Sequence, residues 1–410
     1  MTERQKGFTL VELAVSMFVT LSVLMGVLML FDFSNKLSRV QTNVTDMQQS
    51  LRVAQYDMTR LIRMAGRGGL PVGALPDGAA IAVRDNVAAG AHIGGAADTP
   101  EIVAGSDVLT VRGVFTAPIF QIASADPTAF QLDLQAGAPV GGTIRVRSST
   151  PTGIPQELQA LRDAVNRNRP EGLLLVSPQN GDLYAIVELD PAASDVTSNP
   201  DELRIVFRIT GGTHTTAYAR FSSAGPGTYP PALTNAAFLG IVEEYRFYVR
   251  QDFAVDGNAA SDLTPRLSRA RVYPGTEEPF GDEEANWRGD VADNIVDLQI
   301  ALGLDTPYGP GTVAANPTQG AISETADGES DDWLLNGERN FDPAFLATPD
   351  LHYVRLNTLA RTDRRDKEYQ SAELVRVENH AFNATSPFNS REDRMFRRRL
   401  LRTVVDMRNL

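Results

Sequence analysis

The 410-residue sequence has no cysteine and only four histidines. Thiol nucleophiles, disulfides and thiolate-bound metals are therefore excluded. His92, His214, His352 and His380 are scattered, and none has the spacing of a metal pair or a catalytic triad. A Gly-x-Ser-x-Gly elbow and a phosphate-binding glycine loop are also missing, so the sequence reads as a non-enzyme. Proline is absent from residues 1–70 although the chain has 24, which leaves that stretch free to be helical. Basic residues are outnumbered, 38 Lys and Arg against 51 Asp and Glu, and the net charge of -13 disfavours nonspecific nucleic-acid binding. The hydrophobic fraction of 42% and charged fraction of 22% are those of a globular chain.

The acidity is concentrated. Residues 281–350 carry about 15 acids against Arg288 and Arg339, whereas residues 351–410 have a balance of about +5. Such asymmetry is ordinarily a solvated surface, and it can also guide docking between neighbouring subunits.

The longest apolar run spans residues 8–31, roughly 36 Å as a helix and enough to cross a bilayer. Arg4 and Lys6 precede it, so the short N-terminal tail is expected to stay in the cytoplasm. No small-residue cleavage site follows the run, where Phe31-Asp32-Phe33-Ser34-Asn35-Lys36 stands, so this helix is expected in the mature protein. Glu12 lies one turn inside the run, where a carboxylate is costly unless paired and is a functional candidate by default. The front edge, Lys6-Gly7-Phe8-Thr9-Leu10-Val11-Glu12, resembles the class III signal of type IV pilins and pseudopilins. That resemblance implies cleavage between Gly7 and Phe8 by an inner-membrane prepilin peptidase, then N-methylation of the Phe8 amine. It also implies that Glu12 neutralises the N-terminal amine of an adjacent subunit during assembly.

Beyond Phe31 the apolar positions become periodic: Leu37, Val40, Val44, Met47, Leu51, Ala54, Met58, Leu61 and Ala65 follow 3,4 spacing. Gly66, Gly68, Gly69 and Pro71 then break the pattern. One continuous helix over 8–65 is expected, greasy all round in its first part and laying one stripe on a head in its second. A coiled-coil dimer is the alternative use of such a stripe. Major pilins commonly have a proline in the membrane half; here Gly26 is the only weak point.

In the head, strands are expected at 108–112, 203–209, 245–249, 296–304, 353–357 and 401–407, with a helix at 155–168 carrying Leu158, Leu161 and Val165 on one side. The 296–304 run alternates Val296, Leu298, Ile300, Leu302 and Leu304 with Asp297, Gln299, Ala301 and Gly303, predicting one buried and one wetter face. Residues 66–101 read as loop with one short element at most. The whole is an α+β, pilin-like fold: leader 1–7, transmembrane helix 8–31, amphipathic stem 32–65, and an antiparallel head 66–410 with loop insertions.

Three segments, LRVAQYDMTRLIRMAG at 51–66, DNIVDLQIALGLDT at 293–306 and RRRLLRTVVDMRNL at 397–410, resemble the PilW family of minor pilins, related to the minor pseudopilin J of type II secretion. The resemblance covers both ends and leaves 67–237 unassigned. It implies a subunit of the inner membrane with a periplasmic head, later part of a pilus at the cell surface, at its tip or in the assembly-initiating complex. The implied partners are the prepilin peptidase, the major pilin, other minor pilins, the assembly platform and the lipid around 8–31. A type II secretion pseudopilin and a pilus-tip adhesin are the alternatives.

One candidate metal site stands out. Asp327, Glu329 and Asp331 alternate along an acidic loop, and Glu338 falls where a twelve-residue calcium loop puts its closing acid. Asp332 occupies the position where such a loop needs glycine, so a solvated loop is the plainer reading and Ca²⁺ an option; no other cofactor is expected. Trp287 and Trp333 sit in acidic stretches, as contact sites or as caps of the core.

Overall fold

One helix, Leu10–Ile62, runs through 53 residues, about 80 Å. The computed structural model describes residues 9–71, 80–93, 101–122, 126, 128–148, 158–177, 183–199, 201–225, 227–230, 233–253, 263–281, 287–305, 333–335, 350–382 and 387–407. Gly7 and Phe8 lie outside these, as do Asp327, Glu329, Asp331 and Glu338. The helix is unbroken at Gly26, and it ends three residues before the expected Ala65 in turns through Gly66, Gly68 and Gly69, all at positive φ. Gly68 is required twice over. Its φ is 104°, and a Cβ there would come 2.8 Å from Val114 Cγ2.

Only part of the stripe packs. Met47, Leu51, Ala54, Met58, Leu61 and Ala65 are buried, Val40 and Val44 are half-buried, and Leu37 remains 47% exposed. The head covers the stem fully only from Met47 onward.

Among the described residues the head is antiparallel throughout, in an eleven-stranded sheet, a four-stranded sheet and a two-stranded ribbon of Arg376–Val377 with His380–Ala381. The long strand Phe238–Phe253 organises the larger sheet. Its first half pairs with Gly172–Val176 and Phe120–Gln121, and its second half with Val108–Gly113 and Leu263–Val272. The four-stranded sheet runs Trp333–Leu335, Ile295–Asp305, Asp350–Arg361, Arg398–Asp406. The stem lies against the last two of these strands and against Arg288–Asp293. One continuous apolar core joins its stripe to both sheets.

The predicted two faces of 296–304 are not found. Val296, Leu298, Ile300 and Leu302 are buried, and so are Asp297, Gln299 and Ala301. A loop from the larger sheet covers the polar side. Asp107 N–H donates to the Leu298 carbonyl at 2.8 Å, Ile300 N–H to the Asp107 carboxylate at 2.7 Å, and Gln299 Nε2 to the Gly105 carbonyl at 2.8 Å. These bonds satisfy polar groups that would otherwise be costly to bury, and they weld the sheets together. The early helix is observed as Gln159–Asn166, burying Leu161 and Val165, with buried Leu158 at its N-cap.

Candidate functional site on the exposed front of the stem

Among the described residues nothing covers the first half of the stem. From Leu10 to Phe33 every large apolar side chain is exposed, and the most apolar window, long enough to cross a membrane, has none of its residues buried. Such an all-round apolar helix needs lipid or other helices around it. Its hydroxyls ask for neither. Ser16 donates to the Leu13 carbonyl at 3.0 Å, Thr20 to the Ser16 carbonyl at 2.7 Å and Ser22 to the Phe18 carbonyl at 2.9 Å, so these three hydroxyl protons are satisfied within the helix.

Glu12 stands at the front of this surface. Thr9 is the N-cap. Its backbone N–H and its hydroxyl both donate to Glu12 Oε2 at 3.0 Å, and Glu12 N–H donates to Thr9 Oγ1 at 3.3 Å. This reciprocal capping box satisfies orphan amides of the first turn. Glu12 is nonetheless exposed, so the carboxylate is pre-oriented at the helix tip and open to a cation alongside. Thr9 was the residue that sequence reading passed over, although the Thr-x-x-Glu spacing signals the cap.

The stem is fastened to the head further along. Gln55 Nε2 donates to the Leu401 carbonyl at 3.1 Å and Thr403 donates to Gln55 Oε1, while Asp57 takes Arg269 Nη1 at 2.8 Å.

The remaining sequence candidates do not converge. Trp287 is buried with Val87, Ile93, Ile102, Val108 and Tyr248, a core role; the Trp333 side chain is outside the described residues. His214 stacks on Tyr273 at 4.3 Å, and His380 Nδ1 lies 3.1 Å from Asp297. Among the described residues no group of three or more His, Asp or Glu is placed to hold a metal ion.

Residues 3–28 match the prokaryotic N-terminal methylation motif, and residues 246–409 match the type IV pilus-assembly protein W family. No curated protein and no solved structure matches the chain. The second match begins inside the organising strand Phe238–Phe253 and takes in the whole four-stranded sheet; the first takes in Glu12 and most of the bare front of the stem. A methylation motif at one end, a pilus-assembly region at the other and a single long helix packed on an antiparallel head together support a type IV minor pilin of the PilW family.

Proposed function

We propose that this protein is cut between Gly7 and Phe8, held in the inner membrane by residues 8–31 with its head in the periplasm, and then drawn into a pilus, at the tip or in the complex that initiates it. The observation that carries the reading is the bare apolar front of the stem with one capped carboxylate a turn from its tip. In lipid that surface is satisfied. In a filament neighbouring helices replace the lipid, and Glu12 meets the methylated Phe8 amine of the next subunit, a charge-assisted contact strengthened where water is excluded. The bulk of the head supports a place where few copies pack side by side. The chemistry is mechanical, with no turnover.

Mass spectrometry of the mature N-terminus tests the processing step: a methylated phenylalanine at residue 8 is expected, and an intact Met1 overturns it. Glu12→Ala is expected to insert in the membrane normally yet fail to enter pili. Normal incorporation of that variant contradicts the assigned role.

A further inference from the structure

A sheet edge can take up another chain when its outward N–H and C=O groups are free and nothing bends or blunts it. The strand Arg398–Asp406 meets both conditions. Thr362 N–H donates to the Arg397 carbonyl at 2.8 Å, which marks those two residues as a hydrogen-bonded pair. The register then runs on unshifted, so the next bonded pairs are Ala360 with Arg399, Thr358 with Leu401, Leu356 with Thr403 and Val354 with Val405. The backbone groups of Leu400, Arg402 and Val404 therefore point away from the sheet, and among the described residues nothing bonds to them.

The other described edges of the two larger sheets are short or obstructed. Phe120–Gln121, Ile81–Arg84 and Trp333–Leu335 have two, four and three residues. Phe130–Gln135 is bulged between Asp133 and Leu134, and Arg288–Asp293 has the stem against it. Arg398–Asp406 runs nine residues without a bulge, a proline or a glycine.

The side chains restrict what can add there. Thr403 bonds Gln55 of the stem, so Leu400, Arg402 and Val404 stand on the opposite face of the strand. Leu400 is 43% exposed and Val404 51%. Arg402 lies between them, donating to Asn357 Oδ1 at 2.9 Å and reaching Glu378 only at 3.4 Å, while Arg355 holds Glu378 at 2.8 Å.

We propose that Arg398–Asp406 is a docking edge for an extended segment of a different polypeptide, added as an antiparallel strand with the pattern apolar-x-acid-x-apolar. The two apolar side chains cover Leu400 and Val404, and the acid stands opposite Arg402. A second copy of the same edge fits worse, because the antiparallel register that sets Leu400 against Val404 also sets Arg402 against Arg402.

The test uses the full chain in lipid nanodiscs and a fluorescein-labelled peptide, Ser-Val-Thr-Glu-Thr-Val-Ser, read by anisotropy. Saturable binding is expected. Val404→Pro removes an N–H that the folded sheet does not use, so head melting should stay the same while affinity falls about ten-fold or more. The double variant Leu400→Lys with Val404→Lys should act alike, and it carries the test if the proline variant does not fold. Replacing the peptide's glutamate by lysine, or methylating its amide nitrogen, should also weaken binding about ten-fold. No saturable binding, or binding unmoved by the edge variants and by amide methylation, overturns the docking edge. Dimerisation of the full chain that Val404→Pro abolishes overturns the choice of a different polypeptide.

Discussion

The front of the stem and the interior of the head handle charge in opposite ways. The head buries many ionic groups and answers them from its own chain. Glu244, fully buried, is held by Arg112 and Arg246 and accepts the Gly275 N–H at 2.7 Å. Arg250 lies on Asp290 at 2.8 Å, and Arg361 on Asp393 at 2.6 Å. The front of the stem has two exposed carboxylates, Glu12 capped by Thr9 and Asp32 3.4 Å from Lys36, and a surface that no described part of the chain covers. The difference teaches that these buried charges of the head find their partners within the chain, while the front presents apolar surface that no described part of the chain covers.

Substitutions can break that contrast at either end. The largest effect is expected from Glu244→Gln, which leaves Arg112 and Arg246 buried beside a neutral group and should cost about 3–5 kcal/mol of head stability, read by urea denaturation. The pH profile should agree. Burial pushes the Glu244 carboxyl up, but the two arginines and the Gly275 N–H outweigh it and hold it below its ordinary value of 4.5. Its stabilising contribution is therefore present above pH 4.5 and is lost as pH falls through the depressed value. Next, Met58→Ala, at a fully buried position, should cost about 2–5 kcal/mol in the same measurement without changing membrane retention.

Leu21→Arg tests the other region, since Leu21 is 60% exposed. Membrane insertion should weaken by about 2.5–3.5 kcal/mol, seen by carbonate extraction, while the head melts as before. Lower head stability in this variant would show that the front depends on the fold after all. The smallest effect belongs to Lys36→Ala, whose exposed pair with Glu368 should leave head melting unchanged.

Much of this contrast was legible in residues 1–70, where period, length and glycine stops all agree. Leu37 misled because spacing shows which face is apolar but not how far the head reaches along it. In the head, the expected strands at 108–112, 203–209, 245–249, 296–304, 353–357 and 401–407 fall on observed ones. Others went unread for physical reasons. Leu263–Val272 contains Pro265, Arg266, Arg269 and Arg271, a polar run whose arginines are taken up by Asp290, Asp57 and Glu243 from elsewhere in the chain. Gly172–Val176 is buried at every position, so it shows no alternation. The buried face of Asp297 and Gln299 depends on a loop nearly two hundred residues earlier, which no local pattern reveals.

The fastening of Gln55 and Asp57 to the head has a mechanical consequence. A force applied along the axis of the stem reaches the head where Gln55 grips the strand Arg398–Asp406 and Asp57 grips Arg269, together with the apolar stripe. Gln55 and Asp57 are about 3 Å apart along the axis, so an axial pull loads both contacts together instead of peeling them one by one. The rod and its load are thus joined like a lap joint, the arrangement that resists tension best.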